Sequence, residues 1–377
     1  MRKILIATTT RADWGLLAPI ARELVGRTDC CVEVMATNMH LDATRGNTLD
    51  AVRADGFEPI VAPMPVGFRT ALETAQAMGA CLSSVASVLA SVAPDLIVVL
   101  GDRFETLAIA EAAVILRIPV VHLHGGELTE GAFDDSFRHA ITKLSSLHLT
   151  ATEAYRRRVI QLGENPSTVH NVGAIGVVPR VAMSRAELEQ DLGWTFGNEA
   201  LLLSLHPETL GDLSPKALAE ETFAALNEFP ESKILITYPN NDPGADEIIA
   251  EIADFAQKNE NRVKVVPSLG AARYFAALRC VRAVVGNSSS GIIEVPSAGI
   301  PTVNIGNRQA RRIAAASVIN CRADRREIAE AISRALVADC SGVTNPYFRE
   351  DTLSRIVALI AETPLEDLRK PKSFHDL

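Results

Sequence analysis

Residues 95–127 read DLIVVLGDRFETLAIAEAAVILRIPVVHLHGGE. An apolar run from Leu96 to Leu100 stops at Gly101-Asp102-Arg103, an Ala/Leu/Ile-rich stretch follows through Leu116, and a second apolar run ends on His124-Gly125-Gly126-Glu127. Strands that are apolar throughout, each followed by a helix, belong to a parallel sheet covered on both faces. This unit is Rossmann-like.

The same alternation extends to both sides of it. KILIAT at 3–8, CVEVMAT at 31–37 and FEPIVA at 57–62 come before, with helices from about Asp13 and near 45–55, and a long Ala/Ser/Leu helix that ends before Pro94. A helix near 135–146 and HLTAT at 148–152 come after. A polar segment from Ala174 to about Asn198 contains Pro179 and no clear strand. Beyond it the pattern restarts with ALLLSLH at 200–206, SKILITY at 232–238, VKVVP at 263–267, RAVVGN at 282–287 and PTVNIG at 301–306. The expected fold is α/β: two doubly wound, Rossmann-like domains, residues 1–176 and 177–346, facing a central cleft. A helical segment at 347–377 is expected to pack back on the first domain.

A chain of 377 residues needs no disulfide or metal staple to bury a core. It is 47% hydrophobic, 22% charged and 5% aromatic, with mean hydropathy +0.14, a composition that folds in water. Lys and Arg total 37 against 46 Asp and Glu, a net charge of −9, the wrong sign for a nucleic-acid partner. The run before Thr8 is too brief for a secretory segment, and apolar stretches break well before the roughly 20 residues of a membrane span. The reading is a cytoplasmic protein with no membrane partner. Cys30, Cys31, Cys81, Cys280, Cys321 and Cys340 form no C-x-x-C pair and read as reduced thiols.

In open parallel sheets ligands bind outside the carboxyl ends of the strands, and chemistry gathers there. Arg11 and Asp13 follow the first strand, Asp102 and Arg103 follow DLIVVL, and His122, His124 and Glu127 close PVVHLH. In the second half His206 follows ALLLSL, Asn287-Ser288-Ser289-Ser290-Gly291 follows RAVVG, and Arg308 follows PTVNIG. Serine hydroxyls and free N–H groups at a helix start suit a phosphate, although an ordinary serine cap has the same pattern. Arg11 and Arg308, at strand ends of different domains, tip the reading towards a diphosphate. Glu294, one helical turn on, is placed to accept from a ribose diol. No P-loop or G-x-G-x-x-G is present. His122 and His124, two apart on one strand, face the same way, but with Glu127 they fall short of a zinc ligand set, so neither metal nor cofactor is expected. Asp102, Glu127, Asp134, Asp135 and His206 remain as acids and bases, with one of Asp134 and Asp135 expected to cap a helix.

At these residues the sequence resembles the hydrolysing UDP-N-acetylglucosamine 2-epimerases, most closely the bacterial NeuC type of sialic acid biosynthesis. TTTRADWGLLAPI, TNMHLDATRGNT, VVLGDRFETLAIA, HLHGGELTEGAFDDSFRHAITKL, NVGAIG, LHPETL, GNSSSGIIEVPS, PTVNIGNRQ and TNPYFRE carry the likeness in order along nearly the whole chain. The resemblance implies a GT-B fold, UDP held between the domains, and neither metal nor nicotinamide. It implies Arg11, Ser288, Ser289 and Arg308 as diphosphate contacts, with Ser290 and Gly291 in the same turn, and Glu294 as the ribose contact. Asp102, Asp134 and His206 fall on catalytic or substrate positions, with Arg103 beside them. His124 stands where many relatives carry glutamate, so the corresponding task falls to His124 or Glu127, and Asn38 stands where the motif usually carries glycine. The implied reaction converts UDP-GlcNAc and water into N-acetylmannosamine and UDP through a 2-acetamidoglucal, by an enzyme assembled as a homo-oligomer, a dimer. Its rivals are a non-hydrolysing epimerase, a hydrolysing one acting on a UDP-2,4-diacetamido-2,4,6-trideoxyhexose of the legionaminic acid route, a retaining glycosyltransferase, and an inactive nucleotide-sugar sensor.

Overall fold

The computed structural model describes residues 1–42, 48–68, 70–129, 133–177, 183–208, 213–240 and 242–377. The chain divides into two compact units: Met1–Glu127, Asp134–Ile175 and Arg349–Leu377 form one, and Leu128–Phe133 with Gly176–Phe348 form the other.

The first unit holds a parallel sheet of β1 (Arg2–Thr8), β2 (Cys30–Ala36), β3 (Ile60–Val61), β4 (Leu96–Leu100), β5 (Val120–Leu123), β6 (Leu147–Thr150) and β7 (Val169–Asn171). Their order is β3-β2-β1-β4-β5-β6-β7, so the winding reverses between β1 and β4, where Ile4 pairs with Leu96 and Ile6 with Val98. The second unit repeats the plan with β8 (Leu201–Ser204), β9 (Ile234–Thr237), β10 (Val263–Val266), β11 (Ala283–Gly286), β12 (Thr302–Ile305) and β13 (Val318–Cys321), in the order β10-β9-β8-β11-β12-β13. Its reversal lies between β8 and β11. The fold is α/β and GT-B-like, built from two Rossmann-like units.

Alternation along the central strands explains why both sheets are covered on both faces. Ile4 and Ile6 pack with Leu17, Ile20 and Leu24 of helix Arg11–Val25, whereas Leu5 and Ala7 pack with Cys81, Val85 and Leu89 on the opposite face. Leu201 and Leu203 likewise face Leu218 and Ile248, while Leu202 faces Leu188 and Leu278. Ile356, Ile360 and Leu368, late in the chain, join the core of Ile4 and Leu17.

Four details differ from the sequence expectation. Strands β7 and β13 were not anticipated, being short edge strands with the polar sequences VHN and VINC, and of FEPIVA only Ile60 and Val61 pair. The polar segment, which belongs to the second unit from Gly176 on, contains helix Arg185–Leu192, whose Leu188 and Leu192 are buried in that unit's core. Helix Ala71–Val92, at 22 residues, is long and apolar enough to cross a membrane by length and composition, against the expectation that no stretch would be. Its Ala77, Cys81, Val85 and Leu89 recur every fourth residue and are buried in the first unit's core. All six cysteines are free, four of them buried, and Cys31 is exposed.

Candidate active site

The carboxyl end of β1 turns tightly around one buried carboxylate. Asp13 accepts from the hydroxyls of Thr8, Thr9 and Thr10 and from the backbone N–H groups of Thr9 and Thr10, at 2.8 to 3.1 Å. Thr10 and Asp13 form a capping box, and Arg11 is the first residue of the helix that this box starts. At the neighbouring strand end Asn38 is fully buried with φ +48°, a left-handed conformation, and no atom of its carboxamide has a partner among the described residues.

Across the winding reversal, β4 delivers Asp102 and Arg103. Asp102 is paired with Arg138, a guanidinium on helix Asp134–Leu144 whose side chain is only 2% exposed. Arg138 also donates to Asp135 Oδ1 at 3.2 Å, so its fork holds two carboxylates together. Arg103 donates to Oε1 of Glu105 from Nε and NH2, both at 3.3 Å, and burial pushes the Glu105 carboxyl above its ordinary range. Asp134 and Asp135 both lie in the helix's first turn, where carboxylates favour the amino end.

His122 and His124 do not form the pair that their spacing predicts. Strand β5 ends at Leu123, and His124 has already left it, with φ +65°, so strand alternation no longer relates the two. His122 is fully buried, donates from Nε2 to Gly101 O at 2.7 Å and receives Thr142 Oγ1 at Nδ1 at 3.3 Å. Burial holds its pKa down to about 3, so the ring is neutral and both nitrogens are engaged. His124 instead donates from Nδ1 to Glu127 Oε1 at 2.9 Å. In the neutral ring that bond puts the lone pair on Nε2, which is buried without a partner among the described residues. The His124–Glu127 turn is built tightly: a Cβ at Gly126, where φ is +78°, would stand 2.6 Å from Tyr155 O, and Arg158 donates to the Gly126 carbonyl. Among the described residues no group of three or more His, Cys, Asp and Glu is placed to hold a metal ion.

In the second unit the strand ends on either side of the reversal are stitched by Asn287. Its Oδ1 accepts from His206 N at 2.7 Å and its Nδ2 donates to His206 O at 2.8 Å. His206 Nδ1 accepts from Asn240 N at 3.2 Å, so in the neutral ring the proton sits on Nε2. The Asn287 carbonyl receives Gln309 Nε2 at 2.9 Å and Arg308 NH1 at 3.3 Å. Ser288 caps helix Ser289–Ile293, accepting from Ser290 N, and Glu294 closes the helix at its far end. That helix has five residues, so its dipole is slight, and with the N–H groups of Ser290 and Gly291 donating to Ser288, the hydroxyls of Ser288, Ser289 and Ser290 carry most of what the turn offers an anion. Glu208 accepts from Asn307 N at 2.8 Å and Arg308 N at 3.0 Å, which fixes the backbone from which Arg308 springs. A cavity of about 320 Å³ beside Glu208, Gly306, Asn307 and Arg322 is not lined by the serine turn.

The structure thus brings Arg11, Asp102, Arg103, His124, Glu127 and Asp134 to the strand ends of one unit, and His206, Ser288, Ser289, Ser290, Gly291, Glu294 and Arg308 to those of the other. Sequence reasoning missed Arg138, Glu105 and the stitching role of Asn287. The spacing of Arg138 three residues after Asp135, on one helix face, was a partial signal, and it does not reach Asp102.

The family model described as UDP-N-acetylglucosamine 2-epimerase matches residues 22–361. The chain is 33% identical to the polysialic acid biosynthesis protein P7 of Escherichia coli, over 100% of this chain and 98% of that one. It is 35% identical to the hydrolysing UDP-N,N'-diacetylbacillosamine 2-epimerase of Legionella pneumophila, over 97% of each. Among solved structures, that of the Methanocaldococcus jannaschii UDP-GlcNAc 2-epimerase in complex with UDP-GlcNAc and UDP is similar with TM-score 0.79 at 18% identity, covering 96% of this chain and 100% of that one, a likeness of fold.

Proposed function

This chain belongs to the UDP-N-acetylglucosamine 2-epimerase family, and we propose that it is the hydrolysing kind, turning UDP-GlcNAc and water into N-acetylmannosamine and UDP. The observation that carries this reading is the His124–Glu127 pair: a histidine oriented by a carboxylate, with a buried free lone pair, beside the Asp102–Arg138–Asp135 cluster. In the proposed reaction a base takes the proton from sugar carbon 2, the anomeric C–O bond breaks, and UDP departs with its electrons. Water then adds to carbon 1 of the 2-acetamidoglucal and a proton to carbon 2 on the opposite face.

His124 Nε2, with Glu127 holding its tautomer, and Asp102 serve the elimination, and Asp134 serves the addition. The proton is weakly acidic, so a positioned base is worth about 10² to 10⁴ in rate. Arg308 and the serine turn take the diphosphate, and Glu294 the ribose. Their charge and N–H groups stabilise the leaving group. The product suits sialic acid and cell-surface polysaccharide synthesis.

A second reading keeps the chemistry and changes the sugar to UDP-2,4-diacetamido-2,4,6-trideoxyhexose. The 35% identity to the hydrolysing Legionella enzyme supports it. Incubation with each nucleotide sugar in heavy water, followed by proton NMR, tests both. Free UDP and a 2-epimeric sugar deuterated at carbon 2 are expected. A UDP-linked epimer without free UDP would mean the non-hydrolysing reaction, and no product from either sugar would overturn the proposal.

A further inference from the structure

Helix Asp134–Leu144 presents Asp134, Asp135 and Arg138 at its amino end, and its opposite end is bound by residues late in the chain. The carbonyls at a helix carboxyl end lack partners within the helix and carry partial negative charge. Here Lys372 Nζ donates to Lys143 O at 2.8 Å and to Ser145 O at 2.6 Å. The same ammonium pairs with Glu164 Oε2 at 2.7 Å. Glu164, whose side chain is 2% exposed, also receives Lys143 Nζ at 2.6 Å and His148 Nε2 at 3.0 Å. Burial lowers the His148 pKa against the pull of Glu164, so the carboxylate depends chiefly on the two lysines for its counter-charge.

The segment is seated on both sides of that ammonium. Phe374 covers Gly163 so closely that a Cβ there would lie 2.3 Å from the ring, His375 N donates to Gly163 O at 2.9 Å, and Lys143 Nζ stands 5.2 Å from the ring centroid. Arg369, before Lys372, donates to Asp95 Oδ1 at 2.8 Å at the start of β4. Residues 369–375 therefore tie the carboxyl end of one helix to the strand that delivers Asp102.

We propose that Lys372 is a positioning residue, latching the carboxyl end of helix Asp134–Leu144 so that its amino end holds Asp134 and the Arg138–Asp102 pair in register. Leverage makes this matter. Eleven residues at 1.5 Å each give a rod of about 16 Å, and a tilt of about 4°, once the carboxyl end is free to shift, displaces one end by about 1 Å relative to the other. A displacement of that size at reacting groups costs roughly 10² in rate. The inference rests on the function proposed for Asp102 and Asp134.

Lys372→Met and Lys372→Arg test it, with steady-state kinetics, UDP calorimetry and hydrogen exchange of the amides of residues 134–144. Lys372→Met is expected to lower kcat about tenfold, with KM and UDP affinity within about twofold, and to raise exchange in that helix about tenfold. Lys372→Arg, which keeps the charge and can reach both carbonyls, is expected to recover most of both losses. Unchanged exchange in Lys372→Met would overturn the latch, as would a kcat per folded molecule equal to the wild type's. Were the wild type inactive on both nucleotide sugars, the parent reading would fall while the exchange experiment still decided the latch.

Discussion

Replacing Arg138 by Met is the sharpest test of how the first unit's site is assembled. The guanidinium is 2% exposed and serves Asp102 and Asp135, each 25% exposed. Hydrogen bonds to charged groups are worth about 1.5 to 3 kcal/mol each, so the two carboxylates lose roughly 3 to 6 kcal/mol of gross interaction. Two effects reduce that figure. Both carboxylates reach water and rehydrate, and the methionine spares the desolvation of a buried cation. A net loss of about 2 kcal/mol follows, or about 4 to 8 °C in melting temperature for a unit of this size. Asp102 and Asp135, no longer bridged, would also repel each other, and a freed Asp102 is expected to lower kcat by about 10².

Thermal melts, kcat and UDP affinity measured together separate these effects, with UDP affinity expected to stay near the wild type's. Arg138→Lys should fall between, because one ammonium cannot span both carboxylates as the planar fork does. In a double-mutant cycle with Asp102→Asn, the paired variant should be less destabilised than the sum of the singles by at least about 1 kcal/mol. A variant that melts within about 1 °C of the wild type and keeps kcat within about threefold would refute the reasoning.

Asp102→Asn alone should abolish turnover while leaving UDP affinity within about tenfold, and near-normal turnover would remove Asp102 from the mechanism. Arg308→Ala should weaken UDP binding by about 1.5 to 3 kcal/mol by calorimetry. The lower part of that range is expected, since the guanidinium also donates to Asn287 O at 3.3 Å and stands 3.8 Å from Asp242; wild-type affinity would discard its role. Burial holds His122 down to about 3 and also lowers His40, His148 and His170, whereas the unfolded chain protonates these rings near 6.5. The unfolded state then binds more protons, so stability should be full above about pH 6.5 and fall as pH drops towards 3, read as a lower urea midpoint at about pH 5 than at about pH 7.5. A flat midpoint would contradict it. Exhaustive EDTA treatment should leave activity intact, because both nitrogens of His122 are engaged and His124 Nδ1 is committed to Glu127; a stoichiometric metal requirement would reverse this.

What was legible in the sequence follows from how strongly each feature depends on its immediate neighbours. Central strands such as Leu96–Leu100 and Leu201–Ser204 are apolar on both faces because helices cover both, and that leaves a local signal. The edge strands Val169–Asn171 and Val318–Cys321 need only one partner and tolerate polar residues, so nothing in their composition separates them from loops. The candidate residues were found because they follow the carboxyl ends of apolar strands, a position along the chain that is readable without knowing any side-chain pairing.

Pairing is where local reading stops. Arg138 reads as a cation on a strongly amphipathic helix, and such a cation is ordinarily solvated. Its burial arises only because β4 and that helix bring positions 102 and 138 together, 36 residues apart. Lys372 is a still longer case, its partners lying more than 200 residues earlier. Asn287 is neutral and bonds chiefly to backbone groups of the His206 loop, so it has no charge pattern that a motif could register. The residues visible in sequence are thus those that directly follow an apolar strand, where position along the chain is itself the signal. The residues that aim them, Arg138, Asn287 and by inference Lys372, face other parts of the chain and become visible only when the sheets have closed their registers.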